Sequence, residues 1–118
     1  MEIITKKIPI SRLKEMAENM FGNLVKAVID IKKEIIAIDG ELHSDEEALL
    51  LETGSNQKDL WGINIYPDLP VEGRIEFDSM INLKPSQNNR TRGIDDPKIR
   101  SKVIEIINKM IEENKEFK

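Results

Sequence analysis

Along residues 24–39 apolar side chains recur at every second position on either side of a charged step, Lys32-Lys33-Glu34. Val25, Ala27, Ile29 and Ile31 share one face of the first arm, and Ile36 and Ile38, or Ile35 and Ala37, serve the second. A period of two cannot be laid on a helix, whose faces repeat about every 3.6 residues. The stretch therefore reads as a β-hairpin, with no Asn-Gly pair to set its register. A second hairpin follows the same logic. Trp61, Ile63 and Ile65 alternate with Gly62, Asn64 and Tyr66, and Pro67-Asp68-Leu69-Pro70 forces a turn. Residues 74–83 then place Ile75, Phe77, Ile81 and Leu83 on one face, and Glu76, Asp78, Met80 and Asn82 on the other.

Helical spacing separates these arms. Residues 11–21 carry Leu13, Met16, Ala17, Met20 and Phe21 on one stripe, with Ser11 as N-cap and Gly22 as terminator. Ser44-Asp45-Glu46-Glu47 matches a capping box, in which the serine accepts from the third amide and the glutamate reaches back. It opens a helix running to about Thr53, with Gly54 as its stop and a polar loop over 55–59. Asp96-Pro97 is a cap followed by a first-turn proline. The helix it starts buries Ile99, Val103, Ile106, Ile107 and Met110 and frays over 114–118. The order α-β-β-α-β-β-α predicts an α+β fold: a four-stranded, mainly antiparallel sheet of two hairpins, with about three helices on one face. Residues 1–118 form one domain, a length that supports a core without staples.

Composition excludes several functions. There is no cysteine, hence no disulfide framework and no thiolate zinc site. No apolar run reaches the roughly 20 residues that span a bilayer, and residues 1–10 lack a signal-peptide pattern, so a cytoplasmic location without membrane contact is expected. A net charge of −4 opposes bulk nucleic-acid binding. Residues 84–102 depart from it, with six bases (Lys84, Arg90, Arg92, Lys98, Arg100, Lys102) against Asp95 and Asp96, or +4. Such a patch on an acidic body suits a specific anion better than a long polyanion.

The richest candidate site is the polar run at 77–92, FDSMINLKPSQNNRTR. Ser86, Gln87, Asn88 and Asn89 offer directional hydrogen bonds, while Arg90 and Arg92 fork onto phosphate or carboxylate. Asp78 and Asn82, with Asn64 from the neighbouring strand, would line a polar patch beside it. The competing reading is a solvated connection whose Asn and Ser residues make local turns. His43 is the only histidine and the one candidate general base. A Ser–His–Asp set from Ser79 or Ser86, His43 and Asp78 lacks any nucleophile-elbow motif. Asp30, Glu47, Glu52 and Asp78 lack cation-loop spacing, so neither metal nor cofactor is expected. Trp61, Tyr66 and Phe77 would stack a base, anchor self-association or fill the core.

Three phrases, HSDEEALLLE at 43–52, LWGINIYP at 60–67 and IEFDSMINLKPSQNNRTRG at 75–93, resemble a family of small bacterial and archaeal proteins catalogued as a domain of unknown function. The resemblance covers nearly the whole chain and implies no activity, cofactor or catalytic residue. Its pattern has Arg where this chain has Lys84, a change that would weaken a bidentate clamp there. The sequence thus points to a polar anionic ligand held by the 84–92 loop, with catalysis left open. An RNA-interacting or nuclease-like protein and a homodimeric interaction module are the alternatives.

Overall fold

A computed structural model describes residues 1–113; the fraying expected at 114–118 lies outside the described residues. In chain order the elements are β1 (Glu2–Ile4), β2 (Ile8–Pro9), α1 (Ile10–Asn19), β3 (Val25–Asp30), β4 (Ile35–Ile38), α2 (His43–Glu52), β5 (Leu60–Ile65), β6 (Ile75–Glu76), α3 (Pro97–Met110) and β7 (Ile111–Glu112). Five strands make an antiparallel sheet in the order β1-β4-β3-β5-β6. The fold is α+β with three helices, as the patterning predicts, but the sheet has five strands where four were expected. The fifth, β1, is too short for an alternation to betray it. A parallel pair, β2 with β7, sets Ile8 opposite Ile111.

The first hairpin owes its register to a side chain. Asp30 is buried at the end of β3, and its Oδ1 accepts the N–H groups of Lys32 and Lys33, both at 2.9 Å. Its Oδ2 accepts the Ser55 hydroxyl at 2.6 Å. The turn closes with Asp30 opposite Ile35 and with Glu34 in the left-handed region at φ 58°. The Glu34 carboxylate accepts from Lys102 at 2.9 Å and Lys109 at 2.8 Å, which hold its pKa down at about 2. Asp30 is therefore a turn-former, not a cation ligand.

The helices lie on both faces of the sheet, not on one. Val25, Ala27, Ile29, Trp61, Ile63 and Ile65 pack against Leu13, Met16 and Ala17 of α1 and Val103, Ile106 and Ile107 of α3. Val28, Ala37 and Leu60 point the other way and are covered by Leu50 of α2, with Ile81 packed beside them. A face carrying those residues must be covered, because the exposed alternative loses apolar burial worth about 25 cal/mol per Å2. Consecutive Ala48, Leu49, Leu50 and Leu51 hid which side of α2 does the covering. Trp61 is buried in the α1/α3 side of the core, so it is unavailable for base stacking.

Helix starts follow the sequence unevenly. The Asp96 carboxylate accepts the Lys98 N–H at 2.8 Å, with Pro97 in the first turn. Gly22, at φ 94°, donates its N–H to the Ala17 carbonyl at 2.6 Å and ends α1. By contrast, Pro9 rather than Ser11 precedes α1. The Ser44 capping box does not form either: α2 begins at His43 behind Leu42, with no side-chain cap. Glu47, the box's glutamate, accepts from Gln57 Nε2 at 3.4 Å, and Glu46 turns into the interior, where its Oε2 accepts the Gly40 N–H at 2.8 Å and its Oε1 has no partner. A Cβ on Gly40 would stand 2.7 Å from Glu46 Cγ, so glycine is what admits the carboxyl.

Burial raises the Glu46 pKa to about 9. The folded chain keeps this proton where the unfolded chain, titrating near 4.5, has lost it. The neutral carboxyl's contribution is full below about pH 4.5 and is lost as pH rises toward 9, at up to about 1.4 kcal/mol per pH unit. Glu46→Gln keeps an acceptor for Gly40 and has no proton to lose. Urea melts from pH 5 to 8 should show a flatter profile for the variant and a higher midpoint than wild type at pH 8. Parallel profiles would exclude a buried neutral carboxyl.

Candidate functional site

β6 pairs with only the far end of β5, at Asn64 and Ile65. Residues 77–83, expected to continue that strand, leave the sheet edge and form a one-turn 3-10 helix over Met80–Asn82. What replaces the strand is the Asn82 side chain. Its Oδ1 accepts the Gly62 N–H at 2.8 Å and its Nδ2 donates to the Gly62 carbonyl at 2.9 Å. A primary amide presents the donor and acceptor of a peptide, so Asn82 acts as a single residue of β-strand. Nδ2 also donates to the Arg92 carbonyl at 2.9 Å. The approach requires glycine at 62, where a Cβ would lie 2.7 Å from both Cβ and Oγ of Ser79.

Asn89 organises the rest of the loop. Its Nδ2 donates to the carbonyls of Asn82 at 2.7 Å and Gly93 at 2.9 Å, and its Oδ1 accepts the Asp95 N–H at 2.7 Å. Its backbone exchanges two bonds with Lys84, and Asn88 makes the tight step at φ 62°. The Asp95 carboxylate accepts the Thr91 hydroxyl and the Arg90 N–H, which hold its pKa below the usual range. The amides of this run thus converge on backbone. Asn82 and Asn89 are buried with their groups engaged, so they are not free to hold a ligand. Gln87 donates from Nε2 to the Lys58 carbonyl at 3.1 Å, and Ser86 is exposed. Asn64 is buried, donates to Glu76 Oε1 at 2.9 Å and keeps its own Oδ1 without a partner.

Four of the six bases of the expected patch are engaged by groups of the fold, and only Lys84 is buried. Lys84 is buried, with its ammonium donating to the Gln57 carbonyl at 3.0 Å and lying 5.3 Å from the centre of the Trp61 ring. Burial lowers its pKa. Arg100 donates to the Ile94 carbonyl at 2.6 Å, and Lys102 pairs with Glu34. Arg92 donates from Nε to Asp78 Oδ1 at 2.6 Å. Arg90 and Lys98 are exposed and form no ion pair among the described residues.

Arg92 nevertheless lines a cleft, of about 210 Å3, that two other elements complete. β3 contributes Lys26 on the face opposite Val25 and Ala27, and the start of α2 contributes Leu42, His43 and Ser44. Ser79, Met80 and Ile81 of the 3-10 turn form the remaining wall. Ser86, Gln87, Asn89 and Arg90 do not line it. His43 is buried with Nε2 2.8 Å from the Ile63 carbonyl. A carbonyl only accepts, so Nε2 carries the proton and Nδ1 the lone pair. No hydrogen bond to Nδ1 is formed among the described residues. Burial pushes the His43 pKa below 6.5, with Lys26 and Arg92 acting in the same direction against the Ile63 carbonyl and Asp78. The ring is therefore neutral at pH 7.

With Arg92 balanced by Asp78, the Lys26 ammonium is left without a carboxylate partner among the described residues. It lies 5.2 Å from the centre of the Phe21 ring. The uncapped start of α2 adds backbone N–H groups without intrahelical acceptors, and the positive end of the helix dipole. Sequence reasoning picked out Arg92, Asp78 and His43, which the fold brings together, and missed Lys26, Ser44 and Met80. The available signal was a lone lysine inside the otherwise apolar run 25–29. No group of three or more acidic or histidine side chains among the described residues could hold a metal.

Asn82→Ala removes three hydrogen bonds at once and leaves both polar groups of Gly62 buried and unpaired. Each stranded group costs about 1–3 kcal/mol. A loss of roughly 3 kcal/mol or more in urea unfolding is expected, against a few tenths for Ser86→Ala. Gly62→Ala should cost about 1–3 kcal/mol by overpacking against Ser79. Equal stability of these variants and wild type would refute the strand-mimic role.

The family model described as "Protein of unknown function (DUF5674)" matches residues 2–110, and the chain belongs to that family. No curated protein and no solved structure matches it.

Proposed function

We propose that this member of a family of unknown function binds a small carboxylate- or phosphate-bearing anion in the cleft between the start of α2 and the Met80–Asn82 turn. The observation that carries the reading is the convergence of Lys26, Arg92 and the uncapped end of α2 on one 210 Å3 space. Counting Asp78 as the partner of Arg92 and His43 as neutral, the cleft holds one uncompensated positive charge, that of Lys26. The Ser44 and Ser79 hydroxyls supply further donors. An anion there would meet fixed dipoles and charge in partly desolvated surroundings, where such interactions are stronger than in open water.

Of the 84–92 loop only Arg92 enters this reading as a ligand group. Asn82 positions it, since Asn82 Nδ2 and the Ser79 N–H both bind the Arg92 carbonyl, and Asn89 holds Asn82 and Gly93 on either side. Of the bases that motivate the RNA-binding alternative, Lys84, Arg100 and Lys102 are engaged within the fold, which leaves it Arg90 and Lys98 besides Arg92. No helix among the described residues is long and apolar enough to cross a membrane.

The test is titration with inorganic phosphate and with acetate, followed by amide NMR shifts of His43 and Ser44. Saturable shifts are expected at these amides. Lys26→Gln should weaken binding roughly tenfold or more, the loss of one charged hydrogen bond, with its melting temperature close to that of wild type. Anions that leave these amides unmoved, or bind Lys26→Gln as well as wild type, would remove the reading.

A further inference from the structure

Resting on the anion cleft proposed above, we infer that its natural occupant is a carboxylate carrying a short apolar chain. Met80 is 62% exposed and Leu42 52%, and both line the cleft. Single exposed apolar residues need no explanation. Here two of the most exposed large apolar side chains among the described residues stand at one cation-bearing cleft.

Neither is left outside by accident of a loose segment. Met80 opens a turn tied at both ends: the Ser79 N–H donates to the Arg92 carbonyl at 2.9 Å, and Asn82 is locked into β5. Leu42 occupies the N-cap position of α2, where Ser, Thr, Asp or Asn would satisfy the free amides. A leucine there leaves those amides available and adds an apolar wall beside them. Lys26, with its ammonium beside the Phe21 ring, extends an apolar border around the charge.

Size and charge narrow the class. A volume of 210 Å3 equals that of about seven waters, enough for a short chain and too little for a long lipid tail. One uncompensated cation matches a monoanion better than a dianionic phosphate monoester. His43 Nδ1, unprotonated at neutral pH, accepts a hydrogen bond and so suits a ligand with a donor near its carboxylate.

The experiment is isothermal titration and amide NMR on the whole chain with acetate, hexanoate and hexylamine, repeated on Met80→Ser, Leu42→Ala and Lys26→Gln. Each buried methylene is worth roughly fourfold in affinity. Hexanoate should bind at least about tenfold more tightly than acetate, and hexylamine should not bind. Met80→Ser and Leu42→Ala, which adds no capping oxygen, should each weaken hexanoate several-fold and leave acetate unchanged, whereas Lys26→Gln should weaken both acids. Both apolar positions are on the surface, and a melt of each variant confirms the fold. Acetate and hexanoate binding equally, or hexylamine binding as well as hexanoate, overturns the apolar-chain inference while acetate binding keeps the anion cleft. Absence of binding by both acids overturns the apolar-chain inference, and overturns the anion cleft too if inorganic phosphate leaves the His43 and Ser44 amides unmoved.

Discussion

The pairing of the Asn82 amide with the backbone of Gly62 is the interaction on which the whole 77–95 connection and the wall of the cleft depend. Without it, β5 would have an unpaired stretch beyond β6, and the 79–93 segment would lose its hydrogen bonds to the sheet. With it, a sheet edge is closed by a side chain, the Met80 turn is held against α2, and the Arg92 carbonyl is drawn to the same point. The polar run therefore has a structural logic first. Its amides neutralise backbone groups that an irregular connection would otherwise bury unpaired. One guanidinium from this scaffold then reaches the cleft.

The second constraint is the two-sided sheet. Since Val28, Ala37 and Leu60 need cover, α2 must cross the face opposite α1 and α3. That crossing places the start of α2 beside Lys26 and carries His43 to the Ile63 carbonyl. Glu46, buried one turn further on, fastens the helix to Gly40. A neutral carboxyl can do so in an apolar setting where a charged one could not.

Much of this was legible in the residues. The period-two run at 24–39 became β3 and β4, Asp96-Pro97 became the start of α3, and Gly22 closed α1. Family membership was likewise visible in three phrases and matches over 2–110. Other parts were not legible, for physical reasons. The alternation at 74–83 is genuine, yet strand and turn share it, because a side-chain amide substitutes for strand backbone at Asn82. The four apolar residues in a row in α2 conceal its buried side, and a capping-box spelling cannot tell a cap from a residue already inside the helix. Candidate ligand groups were harder still. Sequence shows that Asn82, Asn89 and Arg92 are polar but not whether they face inward or outward, and Lys26 belongs to the cleft only through the register of β3 with β5.

The short parallel clasp of β2 on β7 cannot stand on its own. Joining Ile8 to Ile111 closes a circuit of nearly the whole polypeptide, an entropic penalty on the order of 4 kcal/mol for a flexible chain. Two residues on each side cannot offset that alone, so the clasp depends for its stability on the docking of α1 and α3 on the hairpin. It then joins the beginning of one helix to the end of the other, and any fraying that starts at Ile111 loosens the seam between them before it reaches the cleft on the far face.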